Sequence, residues 1–160
     1  MAHRTRLMHG ANAYRTGTWL AVEDRIDADQ LERKLINRLE AYKRRLRILA
    51  SRIQKFGSAP VFITQPRGDY RLRGNRLEVL VQNPSVVRAE PLGDGPLVTM
   101  NLFNQATMSF CQKLNLICVD MASKLKFGDA DFYDQFHTLP SGSEKIASFL
   151  YQELNDVIIK

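Results

Sequence analysis

From Asp27 to Phe56, apolar residues recur at three- and four-residue steps: Leu31, Leu35, Leu39, Tyr42, Leu46, Leu49, Ile53 and Phe56. That spacing draws one apolar stripe and predicts a long helix that buries its leucines and turns its arginines and lysines to water. Asp27 or Asp29 can cap its start, and Gly57 stands where a left-handed residue ends a helix. Two runs of another kind follow. Val61-Phe62-Ile63-Thr64, framed by Pro60 and Pro66, and Leu116 to Val119 are short and continuously apolar, which predicts buried strands. Arg4 to Met8 is a third candidate strand, with a polar loop expected from there to about Ile26. A second helical stripe runs from about Asn101 through Leu102, Phe103, Ala106, Phe110, Cys111 and Leu114. Ser141 with Glu144 three residues on predicts a capping box for a last helix that buries Ile146, Ala147, Leu150 and Leu154.

Between 67 and 98 the periodicity is lost. Gly68, Gly74, Pro84, Pro91, Gly93, Gly95 and Pro96 break this stretch, and an irregular insertion is expected, with one short strand at Leu77 to Val81. Buried strands alternating with amphipathic helices imply an α/β domain spanning 1–160, a parallel sheet covered by helices. Three parallel strands are few for that class, so N-terminal strands of the sheet are expected to be missing from this chain.

Composition narrows the class. The chain has 160 residues, 44% hydrophobic and 25% charged, as expected of a globular domain with a real core. It has neither an apolar run of about 18 residues nor the apolar segment of a secretory signal at its start. No membrane span is expected, and cytoplasmic placement is the default. The net charge of +6 falls largely on the long helix, in Lys43, Arg44, Arg45, Arg47, Arg52 and Lys55, where a solvated face accounts for it. No nucleic-acid motif accompanies these residues, and no nucleic-acid partner is expected. Cys111 and Cys118 lack metal-type spacing and predict buried free thiols; no metal or cofactor is expected.

In open parallel sheets, sites form beyond the carboxyl ends of the strands. Two segments in such positions carry reactive side chains, Gly10-Ala11-Asn12 and Asp134-x-x-His137. A histidine can act as general base toward a hydroxyl, an aspartate can orient its imidazole, and an amide with a glycine N–H can stabilise an oxyanion. Each element alone also fits a structural role: a cap carboxylate, a histidine bonded where a helix begins, a turn asparagine.

Together, Asp131-Phe-Tyr-Asp134-Gln-Phe-His137-Thr-Leu-Pro140-Ser-Gly142-Ser-Glu-Lys-Ile146-Ala147 resembles the last conserved block of the SGNH (GDSL-type) serine ester hydrolases. Cys118-Val-Asp120 resembles the strand before that block. Asn101-Leu-Phe-Asn104, opening a helix, and Val61 to Pro66 resemble further family segments, and His9-Gly10-Ala11-Asn12 resembles the third block. The resemblance implies a flavodoxin-like three-layer α/β/α fold and hydrolysis of an acyl or O-acetyl ester by a Ser-His-Asp triad. By it, His137 and Asp134 are the catalytic base and acid, and Asn12 and Gly10 belong to the oxyanion hole. The substrate is then a small-molecule, carbohydrate or lipid ester. Two departures stand out: Ala13 replaces the family's Asp after the Asn, and no Gly-Asp-Ser occurs in the sequence. This chain is thus expected to carry the acid and base without the nucleophile, and to self-associate through an exposed sheet edge. The alternative is a catalytically inactive binding domain whose basic helix meets an anionic partner.

Overall fold

The computed structural model describes residues 17–81 and 92–158, with side chains described to residue 155. The candidate strand at Arg4 to Met8 lies outside the described residues.

The first helix, α1 (Ala28–Lys55), starts and stops as its sequence predicts. One Asp27 carboxylate oxygen accepts the N–H groups of Asp29 (2.9 Å) and Gln30 (3.1 Å), which satisfies two of the donors a helix start leaves open. Gly57 takes φ 76° just past the end. Leu35, Leu39, Leu46 and Ala50 are buried, while Leu31 is half-buried. The expected burial of Leu49 does not hold: it is 49% exposed, and Phe56 is 88% exposed. At 3.6 residues per turn, Leu49 points about 70° away from the mean direction of the four buried positions, and Ala50 takes the inward place. The arginines of α1 all face water, with Lys43 half-buried.

Helix α2 (Gly95–Leu114) packs along α1. Leu35 and Leu39 meet Leu102 and Ala106 at one end. Leu46 and Ala50 meet Phe62, Phe110 and Cys111 at the other. The helix begins six residues before Asn101, since Pro96 in its first turn needs no N–H partner. Asn115, at φ 50°, ends it. Its last turns lie over strand β5 (Ile117–Val119), and Cys111 and Cys118 form a disulfide, with Cα atoms 6.1 Å apart. The expected free thiols are therefore corrected; a seven-residue separation that joins a helix end to the next strand brings both sulfurs to one face.

Strand β2 (Val61–Ile63) pairs with β5 in parallel, in the register Val61 to Ile117, Phe62 to Cys118 and Ile63 to Val119. The two predicted strands and their orientation hold. A second sheet was not expected. Strands β1 (Thr18–Ala21), β3 (Tyr70–Arg73) and β4 (Arg76–Val81) form an antiparallel sheet in the order β1-β4-β3. β4 contains the strand expected at Leu77 to Val81, whereas β1 and β3 replace part of the expected polar loop and part of the expected irregular insertion. Gly74, at φ 61°, and Asn75 turn β3 into β4, and Leu77, Val79, Leu80 and Val81 are buried.

The short helix α3 (Met121–Lys124) follows β5, and α4 (Pro140–Ile158) closes the described chain. The expected capping box is absent. Helix α4 starts at Pro140, one residue early, and the Ser141 hydroxyl instead donates to the Ala130 carbonyl at 2.9 Å. Ile146, Leu150 and Leu154 are half-buried, whereas Ala147 is exposed, contrary to expectation. The chain is thus a mixed α/β protein with four helices, one small parallel sheet and one antiparallel sheet among the described residues. No described helix is long and apolar enough to cross a membrane.

A candidate Asp-His site at the carboxyl ends of the parallel strands

The carboxyl ends of β2 and β5 are tied by Thr64, which is 1% exposed. Its N–H donates to the Val119 carbonyl at 3.1 Å. Its hydroxyl donates to Asp120 at 2.9 Å and accepts the Ala122 N–H at 2.9 Å. Removing that hydroxyl leaves the partly buried Ala122 N–H without this acceptor and Asp120 without this donor. Thr64→Val should therefore cost about 1–3 kcal/mol although the shape is kept. Chemical denaturation at unchanged m-value would show it, and wild-type stability would refute the bond's importance.

Beyond this knot the chain reaches a compact loop. Phe132 bridges to Thr138, and the Tyr133 N–H donates to the His137 carbonyl at 3.0 Å, so residues 132–138 form a closed turn. Inside it, one Asp134 oxygen accepts the backbone N–H groups of Phe136 (2.8 Å) and His137 (2.7 Å). The other Asp134 oxygen lies 2.7 Å from His137 Nδ1. The Tyr133 ring stacks on the imidazole, with centroids 5.5 Å apart. The carboxylate is thus held on both sides and fixes one ring nitrogen of the histidine. Partial burial raises the Asp134 carboxyl, but the two N–H donors and the imidazole outweigh it and hold the group below its usual range.

Asp131 supports the same loop from below. Its side chain is 4% exposed and accepts the Gly128 N–H and the Lys145 ammonium, both at 2.6 Å. Burial opposes ionisation here too; Lys145, the Gly128 N–H and Ser141 overcome it, and the carboxyl lies below its usual value. Both folded-state values being depressed, the two groups stabilise the fold fully above the ordinary carboxylate range. That contribution is lost as pH falls through their lowered values. Asp131→Asn should accordingly destabilise the chain at about pH 7 and much less at about pH 2, as read from urea midpoints. An equal loss at both would exclude an ionic role.

The segment after β2 clasps this loop. The Gly68 N–H donates to the Gln135 carbonyl at 2.9 Å, and the Gln65 amide reaches the Phe136 carbonyl at 3.5 Å. Arg67, paired with Asp69, lies 5.1 Å over the Phe136 ring. His137, Gln65, Pro66 and Met121 line a shallow pocket of about 300 Å³. Gln65 and Pro66 also line a larger cleft of about 970 Å³ that reaches Asn101 and Asp120. The dyad therefore sits beyond the ends of both parallel strands. His137 and Asp134 are brought together; Asn12 and Gly10, the oxyanion-hole candidates, lie outside the described residues. Asn101 does not open a helix but stands inside α2, on the wall of the larger cleft. Sequence reasoning missed the clasp of Gln65, Arg67 and Gly68, whose only signal was the Gln-Pro-Arg-Gly run after a strand. Among the described residues, no cluster of three or more metal-ligating side chains occurs.

A mixed α/β fold with a carboxylate–imidazole dyad at strand ends is as far as the geometry itself defines the class. No family model, no curated protein and no solved structure matches the chain.

Proposed function

We propose that this chain contributes the acid and base of an SGNH-type serine ester hydrolase in a flavodoxin-like α/β/α fold. The observation that carries the reading is the 2.7 Å contact between His137 Nδ1 and Asp134 in a loop that faces the carboxyl ends of β2 and β5. With Nδ1 held by the carboxylate, proton transfer runs through Nε2. The imidazole takes the hydroxyl proton of the attacking serine and later returns it to the leaving alkoxide, while Asp134 stabilises the transient imidazolium. The sequence holds no Gly-Asp-Ser block, so the serine is assigned to a segment outside these 160 residues. Asn12 and Gly10 remain the proposed oxyanion donors.

The proposal is tested first on the imidazole itself. In the neutral imidazole, long-range proton–nitrogen NMR should find the His137 proton on Nδ1, the tautomer an Asp partner selects. Asp134→Ala should shift it toward the Nε2–H form preferred by unconstrained imidazole. A wild-type Nε2–H tautomer would sink the dyad. The chain alone should then leave p-nitrophenyl butyrate unhydrolysed; saturable turnover lost in His137→Ala would place a nucleophile within it.

A further inference from the structure

The larger cleft shares Gln65 and Pro66 with the pocket of His137, so a group bound there is joined to the ester at the dyad. We infer that this cleft takes a neutral, polyhydroxylated alcohol portion of the substrate, a sugar of about two residues. The inference rests on the hydrolase reading and names its substrate class.

Three features of the wall favour a sugar over the alternatives. The first is charge balance. Arg25, Arg67 and Arg71 line the cleft, but each guanidinium already faces a carboxylate: Asp94 for Arg25, Asp69 for Arg67, and both Glu78 and Asp129 for Arg71. Lys126 and Asp120, one charge of each sign, stand on the same wall. An anionic ligand would meet no surplus of positive charge, and would have to compete with these pairs.

The second feature is a pair of amides, unpaired among the described residues, on a wall whose exposed surface is otherwise mostly apolar. Asn101 and Gln105 stand one helical turn apart on the cleft face of α2 and make no hydrogen bond among the described residues. Their neighbour Asn104 is fully engaged, donating to the Gln65 carbonyl (2.8 Å) and accepting the Gln65 N–H (3.0 Å). A fatty acyl chain would strip water from Asn101 and Gln105 and give nothing back, the loss by which polar sites reject apolar ligands. A sugar hydroxyl both donates and accepts, and a planar amide offers both in one group. The third feature is size: about 970 Å³ lies at the upper end of small-ligand sites, roomy for a disaccharide.

The test uses the full, isotope-labelled 160-residue chain and needs no catalysis. Cellobiose, xylobiose and N,N′-diacetylchitobiose are titrated, with hexanoate and glucose 6-phosphate as the apolar and anionic rivals. At least one disaccharide should shift the side-chain amide signals of Asn101 and Gln105 saturably by about 20 mM, a strength ordinary for a few hydrogen bonds. The exposed pair Asn101→Ala with Gln105→Ala should weaken that binding at least about fivefold while the backbone spectrum stays native. The inference is overturned if no disaccharide binds by about 50 mM, if hexanoate or glucose 6-phosphate binds there more tightly, or if the double variant binds unchanged. Sugar binding is independent of the His137 tautomer, so the failure of one reading is visible apart from the other.

Discussion

His137→Ala, made in a protein that also carries the proposed nucleophile segment, should lower kcat for a short-chain ester about 10⁴-fold or more. Loss of the base strands the serine proton at the transition state, and a single triad member accounts for about as much as the whole set because its members act as a unit. Asp134→Asn should cost nearly as much. Its amide can present an N–H to Nδ1 and favour the wrong tautomer, while leaving the imidazole in place. KM should change little in both variants, since neither side chain is asked to grip the resting substrate. Initial rates on p-nitrophenyl butyrate across about pH 6–9 decide the matter. Activity within about tenfold of wild type in His137→Ala would remove His137 from the chemistry.

The parts of this arrangement that were legible in the sequence are those with one dominant local cause. The α1 stripe, its Asp27 cap and Gly57 stop, and the two short strands could be read because periodicity and end signals agree. The Asp134 to His137 contact was legible because three residues of separation allow one carboxylate to take both the imidazole and two N–H groups of its own turn. Of the antiparallel sheet only β4 was legible, as the strand expected at Leu77 to Val81; its pairing was not. β1 is the four-residue run Thr18-Trp19-Leu20-Ala21, and it finds its partner β4 some sixty residues later. The strand signal of Thr18-Trp19-Leu20-Ala21 is too short to outvote its polar surroundings, and only the non-local pairing makes it a strand. The disulfide was missed for a related reason: the seven-residue spacing names no partner until α2 folds back over β5. Ser141 shows a local rule overridden by tertiary context. Its hydroxyl has a better use at the Ala130 carbonyl, beneath the dyad loop.

The dyad loop is gripped by two glycines, and replacing either with alanine should be among the most damaging small changes in the chain. Gly142 lies in the first turn of α4, where helix propensity alone favours alanine over glycine by up to about 1 kcal/mol. Sterics reverse that sign. A Cβ at Gly142 would stand 2.3 Å from the Asp131 carbonyl oxygen and 3.1 Å from its carbon, and this obstacle is backbone. That oxygen also accepts the Leu139 N–H at 2.8 Å, so it cannot retreat without loosening the turn that carries Asp134 and His137. A Cβ at Gly68 would stand 2.3 Å from Cγ of Phe132, a ring only 3% exposed and held in the core beside it. Each substitution should cost about 3 kcal/mol, the upper part of the range for overpacking a filled core, and lower Tm by about 6–12 °C. Gly95→Ala supplies the contrast. It too lies at the start of a helix, but its Cβ would meet nothing nearer than Ile26 Cδ1 at 3.9 Å. That variant should match wild type or gain slightly. Thermal melts of the three variants side by side separate sterics from propensity. If Gly142→Ala melts with Gly95→Ala rather than with Gly68→Ala, the close packing of α4 on the dyad loop is refuted.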